Sequence, residues 1–382
     1  MKNFLTKIYT FKFFDDFILI YPLYAVMFIN FGMEPWQIAT LLAIWSATSF
    51  LVEIPSGVWA DKYSRKNILF IGQVIRAIGY LIWLIFPTFW GFLIGFVLWG
   101  IKGALTSGTY QALIYDELKL FKREKDFTKV LGRSRTLAYV AMLSASGLAS
   151  LAIFWGYDFV LAMSSISVLI SGVVVFLLPK TQKVESTHEK EYFTLLKKGL
   201  RNATKNPTVF RIILFMALAY ALGGALDEYW PIFANGAGLQ TYWLGIFIGV
   251  MSGVQAIASF VSHKFENRTD NFFYSLLFLN GAILLTAGYL FSVPSLLLLI
   301  VFTFLFTIIQ IVFEGRLQHA IPSETRATVS SVSGFFGEIG VILVYFSFGT
   351  IAQTSDYKNS FLIYGVFIAL LGLWYLLFVK NR

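Results

Sequence analysis

Six ionisable residues stand deepest in long apolar runs and define the chemistry open to this chain: Glu53, Arg76, Lys102, Asp227, Glu228 and Glu338. A charge at the centre of a bilayer costs roughly 2.5–3.5 kcal/mol on insertion scales, so each needs a physical reason. Glu53 shares one helical face with Gly57 and Asp61 through i, i+4, i+8 spacing, and Pro55 frees a backbone carbonyl at Leu51 beside it. A carboxyl in that setting suits a proton-carrying site; a structural partner for Arg76 or a helix-end hydrogen bond is the plainer alternative, and both stay open. Arg76 and Lys102 are the deep bases, and each must meet either an acid, Glu53 or another, or an anionic ligand.

In Asp227-Glu228-Tyr229-Trp230, two adjacent acids point about 100° apart, so one of them is expected to face a cavity. An acid flanked by Tyr and Trp can hold a partly apolar cation through charge and cation–π contact. The alternative is an interfacial aromatic belt anchored by Trp230. Glu338 lies within Gly334-Phe335-Phe336-Gly337-Glu338-Ile339-Gly340, where the glycines allow close helix packing and the acid can serve a cavity or a gate. Asp15 and Asp16 fall about one turn inside the first apolar run, where a solvated helix end is favoured over a gate. Gln73, Gln111, Gln255, Asn280 and Gln310 are membrane polar groups that either line a cavity or bond between helices.

Other chemistry is excluded. His188, His263 and His319 all fall in connections, so carboxylates must carry any proton across the membrane. There is no cysteine, and hence no disulfide, thiolate metal site or catalytic thiol. No phosphate-binding Gly-x-x-x-x-Gly-Lys-Ser/Thr loop is present, which argues against ATP-driven transport. No metal-ligand cluster, catalytic dyad or cofactor motif appears, so the chain reads as a non-enzyme without cofactor.

The elements that hold these residues are apolar helices. Of the 382 residues, 57% are hydrophobic and 13% charged, the balance of a polytopic helical membrane protein. Twelve runs are long enough to cross a bilayer: 11–31, 37–60, 67–86, 89–114, 129–154, 158–179, 208–232, 241–262, 271–291, 295–315, 327–351 and 359–379. Their connections alternate in charge. One set holds nearly all the Lys and Arg, the other only Lys358, so both termini are expected to be cytoplasmic. The formal charge of +9 is therefore an orientation signal and not a nucleic-acid patch. The expected organisation is a bundle over 1–179, a cytoplasmic linker over 180–207 with an amphipathic helix (Tyr192, Leu195, Leu196, Leu200), and a second bundle over 208–382.

Between the second and third runs stands Gly57-Val58-Trp59-Ala60-Asp61-Lys62-Tyr63-Ser64-Arg65-Lys66. Asp61 is placed to accept from the first N–H groups of the next helix, while Lys62, Arg65 and Lys66 face the anionic headgroups. As Gly-x-x-x-Asp-Lys-x-Ser-Arg-Lys, this stretch resembles the loop 2–3 signature of the major facilitator superfamily, which has Gly where Ser64 stands. The stretch 259–268 looks like a degenerate second copy. Glu53–Gly57, Ser107–Asp116 and Arg326–Ser331 resemble a bacterial branch assigned as drug or small-molecule exporters.

The resemblance implies an all-α fold of twelve transmembrane helices in two six-helix bundles, alternating access, and a gate biased by Gly57, Asp61, Lys62, Arg65 and Lys66. The expected function is proton-coupled export of hydrophobic cationic or zwitterionic small molecules by antiport. The alternatives are an anionic, peptide-like or lipid cargo held by Arg76 and Lys102, and a non-transporting membrane sensor on the same fold. The expected partners are a small-molecule substrate, protons and membrane lipids, with the chain a monomer in the bacterial plasma membrane.

Overall fold

The computed structural model describes residues 1–178, 207–321 and 326–379. Eleven helices among them are long and apolar enough to cross a membrane. The twelfth span is the first in the chain, and it is built from two helices, Lys2–Asp16 and Tyr24–Asn30. Pro22 explains the break. It has no N–H to donate to Ile18, and its ring pushes Tyr21 out of helical backbone, so residues 17–23 close as turns instead. Span one therefore begins nine residues earlier than the apolar run at 11 suggested. Asp15 sits near the C-terminal end of a 15-residue helix, roughly 20 Å along it and not one turn from its start.

The following spans are Pro35–Lys62, Arg65–Ile85, Phe89–Thr106 continued by Thr109–Leu120, Phe127–Ala152 and Tyr157–Phe176. Gly108 takes φ +68° between the two pieces of span four, a conformation that favours glycine. Span seven is broken as span one is. It runs Pro207–Ala219, widens to a π-turn over Tyr220–Gly224, tightens to 3-10 over Ala225–Tyr229, and resumes as Trp230–Gly236. Gly223 and Gly224 are weak helix formers, and Pro231 withholds a donor from the turn before it. The last five spans are Thr241–Val261, Asp270–Leu290, Leu296–Ala320, Arg326–Thr354 and Tyr357–Phe378.

The chain divides into two compact units: Met1–Met33, Ile44–Glu189 and Thr241–Gly249 form one, and Glu34–Ala43, Lys190–Gln240 and Val250–Arg382 the other. Each unit takes a short segment from the other half of the chain, through glycine contacts. Gly245 lies against the Ser146 carbonyl and Ser150, and Gly349 against Ala39 and the Pro35 carbonyl, too closely for a Cβ. The expected linker over 180–207, its amphipathic helix included, lies outside the described residues up to position 206.

In the first unit, span three packs on spans four and six, and span one on spans five and six. Its centre is aromatic: Tyr24, Phe28, Trp83, Phe92 and Phe96 are buried together, and Trp83 donates to the Phe92 carbonyl at 3.1 Å. Span six stitches itself to span one with a serine stripe. Ser167 donates to the Phe14 carbonyl and Ser171 to that of Phe11, each at 2.9 Å, while Ser164 accepts from the Ile20 N–H at 3.0 Å. In the second unit, span nine packs most extensively on span twelve. Gly281, Gly365 and Gly372 bring the two backbones into contact there.

Candidate functional site

Because span one reaches so deep before it breaks, it delivers Asp15 to the interior of the first unit. The carboxylate is 1% exposed, Lys102 of span four lies 2.5 Å from Oδ1, and Gln73 of span three donates to the same oxygen at 2.9 Å. Arg76 approaches Oδ1 at 3.6 Å and donates from Nη1 to the Asp15 backbone carbonyl at 2.9 Å. Lys12, one turn back on span one, lies 3.7 Å from Asp15 and 2.7 Å from Asp16. Arg76 also donates from Nε to the Tyr80 hydroxyl at 2.8 Å, and its guanidinium stands 4.9 Å from the Trp99 ring centre. Arg76 and Lys102 are 7% and 6% exposed. The deep bases thus have their acid, as membrane burial requires. It is Asp15, and not Glu53; and Asp15 is not the solvated helix end expected from its place in the apolar run.

Beside this cluster is a cavity of about 120 Å³ lined by Asp16, Ile18, Tyr21, Arg76, Met142 and Ser146. The residues 17–23 that leave the helix form part of its wall, so the Pro22 break and the cavity have one origin.

Glu53 stands apart. It is exposed on span two and accepts a long hydrogen bond, 3.4 Å, from the Ser107 hydroxyl at the kink of span four. Span two stays helical through the signature stretch to Lys62, so the hairpin there shrinks to Tyr63 and Ser64. The surroundings of Gly57 and the side chains of Asp61 and Lys62 lie outside what is described. Arg65 pairs with Asp116 and donates to the Ala112 carbonyl at 3.3 Å. Lys66 donates to the Leu178 carbonyl at 2.5 Å and stands over the Phe176 ring. The two basic residues therefore tie the start of span three to spans four and six instead of reaching out to headgroups.

In the second unit, the break in span seven places Asp227 and Glu228 in its 3-10 turn. Asp227 is exposed, accepts from the Trp230 indole N–H at 2.7 Å and is bonded by the Gln255 side chain. Tyr229 and Trp230 are core residues. The Tyr229 ring lies 4.2 Å from that of Phe348, and the Trp230 ring stacks on Phe361 at 5.8 Å with Phe302 at its edge. Trp230 is 2% exposed, so it is neither an interfacial anchor nor an open ring for a ligand. What it does is fix the Asp227 carboxylate.

A larger cavity of about 410 Å³ opens in the same unit, at the π-turn. Phe215, Met216 and Tyr220 of span seven and Phe313 of span ten give it apolar and aromatic walls, and its polar groups include Gln310, Glu314 and Glu338. Among the described residues no Lys or Arg lines it. Gly337 and Gly340 of span eleven face Tyr220 and Ala221, which admits the widened turn and carries Glu338 to the cavity. The structure thus gathers Glu338 with Gln310, and Asp227 with Gln255, but leaves Glu53 outside either group. Among the described residues no cluster of His, Asp or Glu can hold a metal.

Two signals in the sequence carried information that residue types alone did not. Pro22 after a charged pair marks the break that buries Asp15, and Ser164, Ser167 and Ser171 recur at i, i+3, i+7 on the face that receives span one.

A family model described as the Major Facilitator Superfamily matches residues 8–345. A Bacillus subtilis (strain 168) protein named as the uncharacterized MFS-type transporter YxaM is 23% identical over 91% of this chain and 88% of its own. An uncharacterized transporter of Buchnera aphidicola subsp. Schizaphis graminum is 30% identical over 40% of this chain and 38% of its own. Among solved structures, the nucleoside transporter NupG superposes with TM-score 0.78 at 15% identity, covering 100% of this chain and 100% of that one. A D-xylose-proton symporter superposes with TM-score 0.72 at 14% identity, covering 99% and 97%. At such identities the likeness is one of fold, and it matches the twelve-span all-helical architecture. The family and these neighbours are transporters and not enzymes, and the bacterial relatives fit a multi-pass protein of the inner membrane. The chain belongs to the Major Facilitator Superfamily.

Proposed function

We propose that this chain is a proton-coupled exporter of hydrophobic cationic or zwitterionic small molecules, working by antiport and alternating access. The observation that carries this reading is the 410 Å³ cavity of the second unit, with aromatic walls, two carboxylates and no base among the described residues that line it. That volume lies within the range of small-molecule sites, whose few polar groups set orientation and charge preference. A lipophilic cation gains charge contact with Glu338 and ring contact with Tyr220, Phe215 or Phe313. Protons and cargo compete for the same carboxylate, which is what exchange requires. Glu338 takes the carrier role that spacing alone suggests for Glu53, with Asp227 and Glu228 of the broken span seven as further acids. Arg65 and Lys66, bonded to spans four and six, serve the gate with the rest of the signature stretch.

The test is proton movement in proteoliposomes on adding a panel of lipophilic cations, for wild type, Glu338→Gln and Glu53→Gln. Substrate-driven proton flux that is lost in Glu338→Gln and kept in Glu53→Gln is the expected result. Absence of a proton signal with every cation overturns the reading.

A further inference from the structure

We propose that the first unit holds a binding site for a monovalent anion, a carboxylate or a halide, on the guanidinium of Arg76. The buried cluster there does not balance: Lys12, Arg76 and Lys102 are three bases, while Asp15 and Asp16 are two acids. One positive charge is left over, and two of the three bases, Arg76 and Lys102, are less than a tenth exposed. Its location follows from the hydrogen bonds. Arg76 commits Nε to Tyr80 and Nη1 to Asp15, and Nη2 has no protein partner among the described residues. Arg76 is 93% buried by its 7% exposure, and the space it lines is the 120 Å³ cavity.

The lining completes the site. Ser146 brings a hydroxyl that can donate to an anion, and Ile18 and Met142 give an apolar side for a short carbon tail. Asp16 also lines the cavity, but its charge is already matched by Lys12 at 2.7 Å. A cation placed here would raise the excess, and a divalent anion would reverse it; one negative charge cancels it. The volume accommodates a halide or a small carboxylate, since a water occupies about 30 Å³ of liquid. The site lies wholly in the first unit and does not rest on the cation reading of the second, so either can fail alone.

The experiment is isothermal titration of the full chain in lipid nanodiscs with sodium chloride and with sodium propionate, in a buffer whose only other anion is a bulky sulfonate. One saturable anion per chain is expected, with chloride and propionate competing. Ser146→Ala, which keeps the ion cluster, should weaken binding about tenfold through loss of one hydrogen bond to a charged group. Arg76→Lys keeps the charge beside Asp15 but loses the second guanidinium edge, and should weaken it at least as much. Labelled propionate exchange into proteoliposomes separates the two sources. Binding with flux makes the carboxylate part of a cargo, and binding without flux makes it a resident anion. No saturable binding of either anion, or wild-type affinity in both variants, overturns the proposal.

Discussion

Asp15→Asn tests the central structural claim, that one carboxylate holds the interior of the first unit together. The substitution preserves shape and removes the charge that faces Lys102 at 2.5 Å, Arg76 at 3.6 Å and Lys12 at 3.7 Å. Two of those bases are less than a tenth exposed, so water cannot take the place of the acid. Removing one partner of a buried pair costs about 3–5 kcal/mol. For a cooperative unit of 150–250 residues this corresponds to a fall of roughly 6–20 °C in the midpoint of thermal unfolding. Lys102→Met alone should also destabilise, because Asp15 loses its shortest contact. In the double variant Asp15→Asn/Lys102→Met, neither charge remains to be left unpaired, and about 2 kcal/mol of the summed single losses should return. Asp16→Asn is the internal control. Asp16 keeps 23% of its side chain exposed and makes an i, i+4 pair with Lys12, a type worth about 0.3–0.5 kcal/mol. The assay is thermal unfolding of the four variants in one detergent, followed by tryptophan fluorescence. A shift for Asp15→Asn no larger than that for Asp16→Asn, or strict additivity in the double variant, would refute the reasoning.

Other substitutions reach the second unit. Gly372→Ala sets a Cβ 2.8 Å from Phe278 Cα and 2.9 Å from the Tyr274 carbonyl, backbone atoms that cannot turn aside. A loss of about 1–3 kcal/mol on thermal unfolding is expected as spans nine and twelve are forced apart. Trp230→Phe deletes the 2.7 Å bond to Asp227 while keeping an aromatic ring against Phe361. It should cost about 0.5–1.5 kcal/mol, read by the same unfolding measurement, because a hydrogen bond is lost while the exposed carboxylate can turn to water. Glu338→Gln should raise the half-saturating concentration for a lipophilic cation about tenfold or more without moving the unfolding midpoint, a split that cargo uptake assays can read.

Much of the fold was legible because membranes impose it: runs of about twenty apolar residues must be helices, and the loop signature named the family. The site was less legible. The depth of Asp15 is hidden because Lys2, Lys7 and Lys12 read as the flank of a span, whereas they lie on its first three turns. The ten residues before the apolar run are amphipathic, so hydropathy alone does not count them as helix. Glu53 draws attention through its spacing with Gly57 and Asp61, yet spacing fixes only which residues share a face and not what that face meets. The need of Arg76 and Lys102 for an acid was sound physics applied without the partner's address. In span seven, residue types identify Asp227, but only packing reveals that Tyr229 and Trp230 turn inward.

The serine stripe of span six has a mechanical consequence. Span one is held at three points by Ser164, Ser167 and Ser171, side chains of one helix: at the Phe11 and Phe14 carbonyls of its first piece and at the Ile20 amide within the break. Spans one and six are therefore riveted along their length, and a displacement of one carries the other as a single strut. Solvent exchange of the Ile20 amide proton would report on that rivet. The amide is buried and bonded to Ser164 although it stands outside any regular helix, so it should exchange as slowly as a helical amide until the strut itself comes apart.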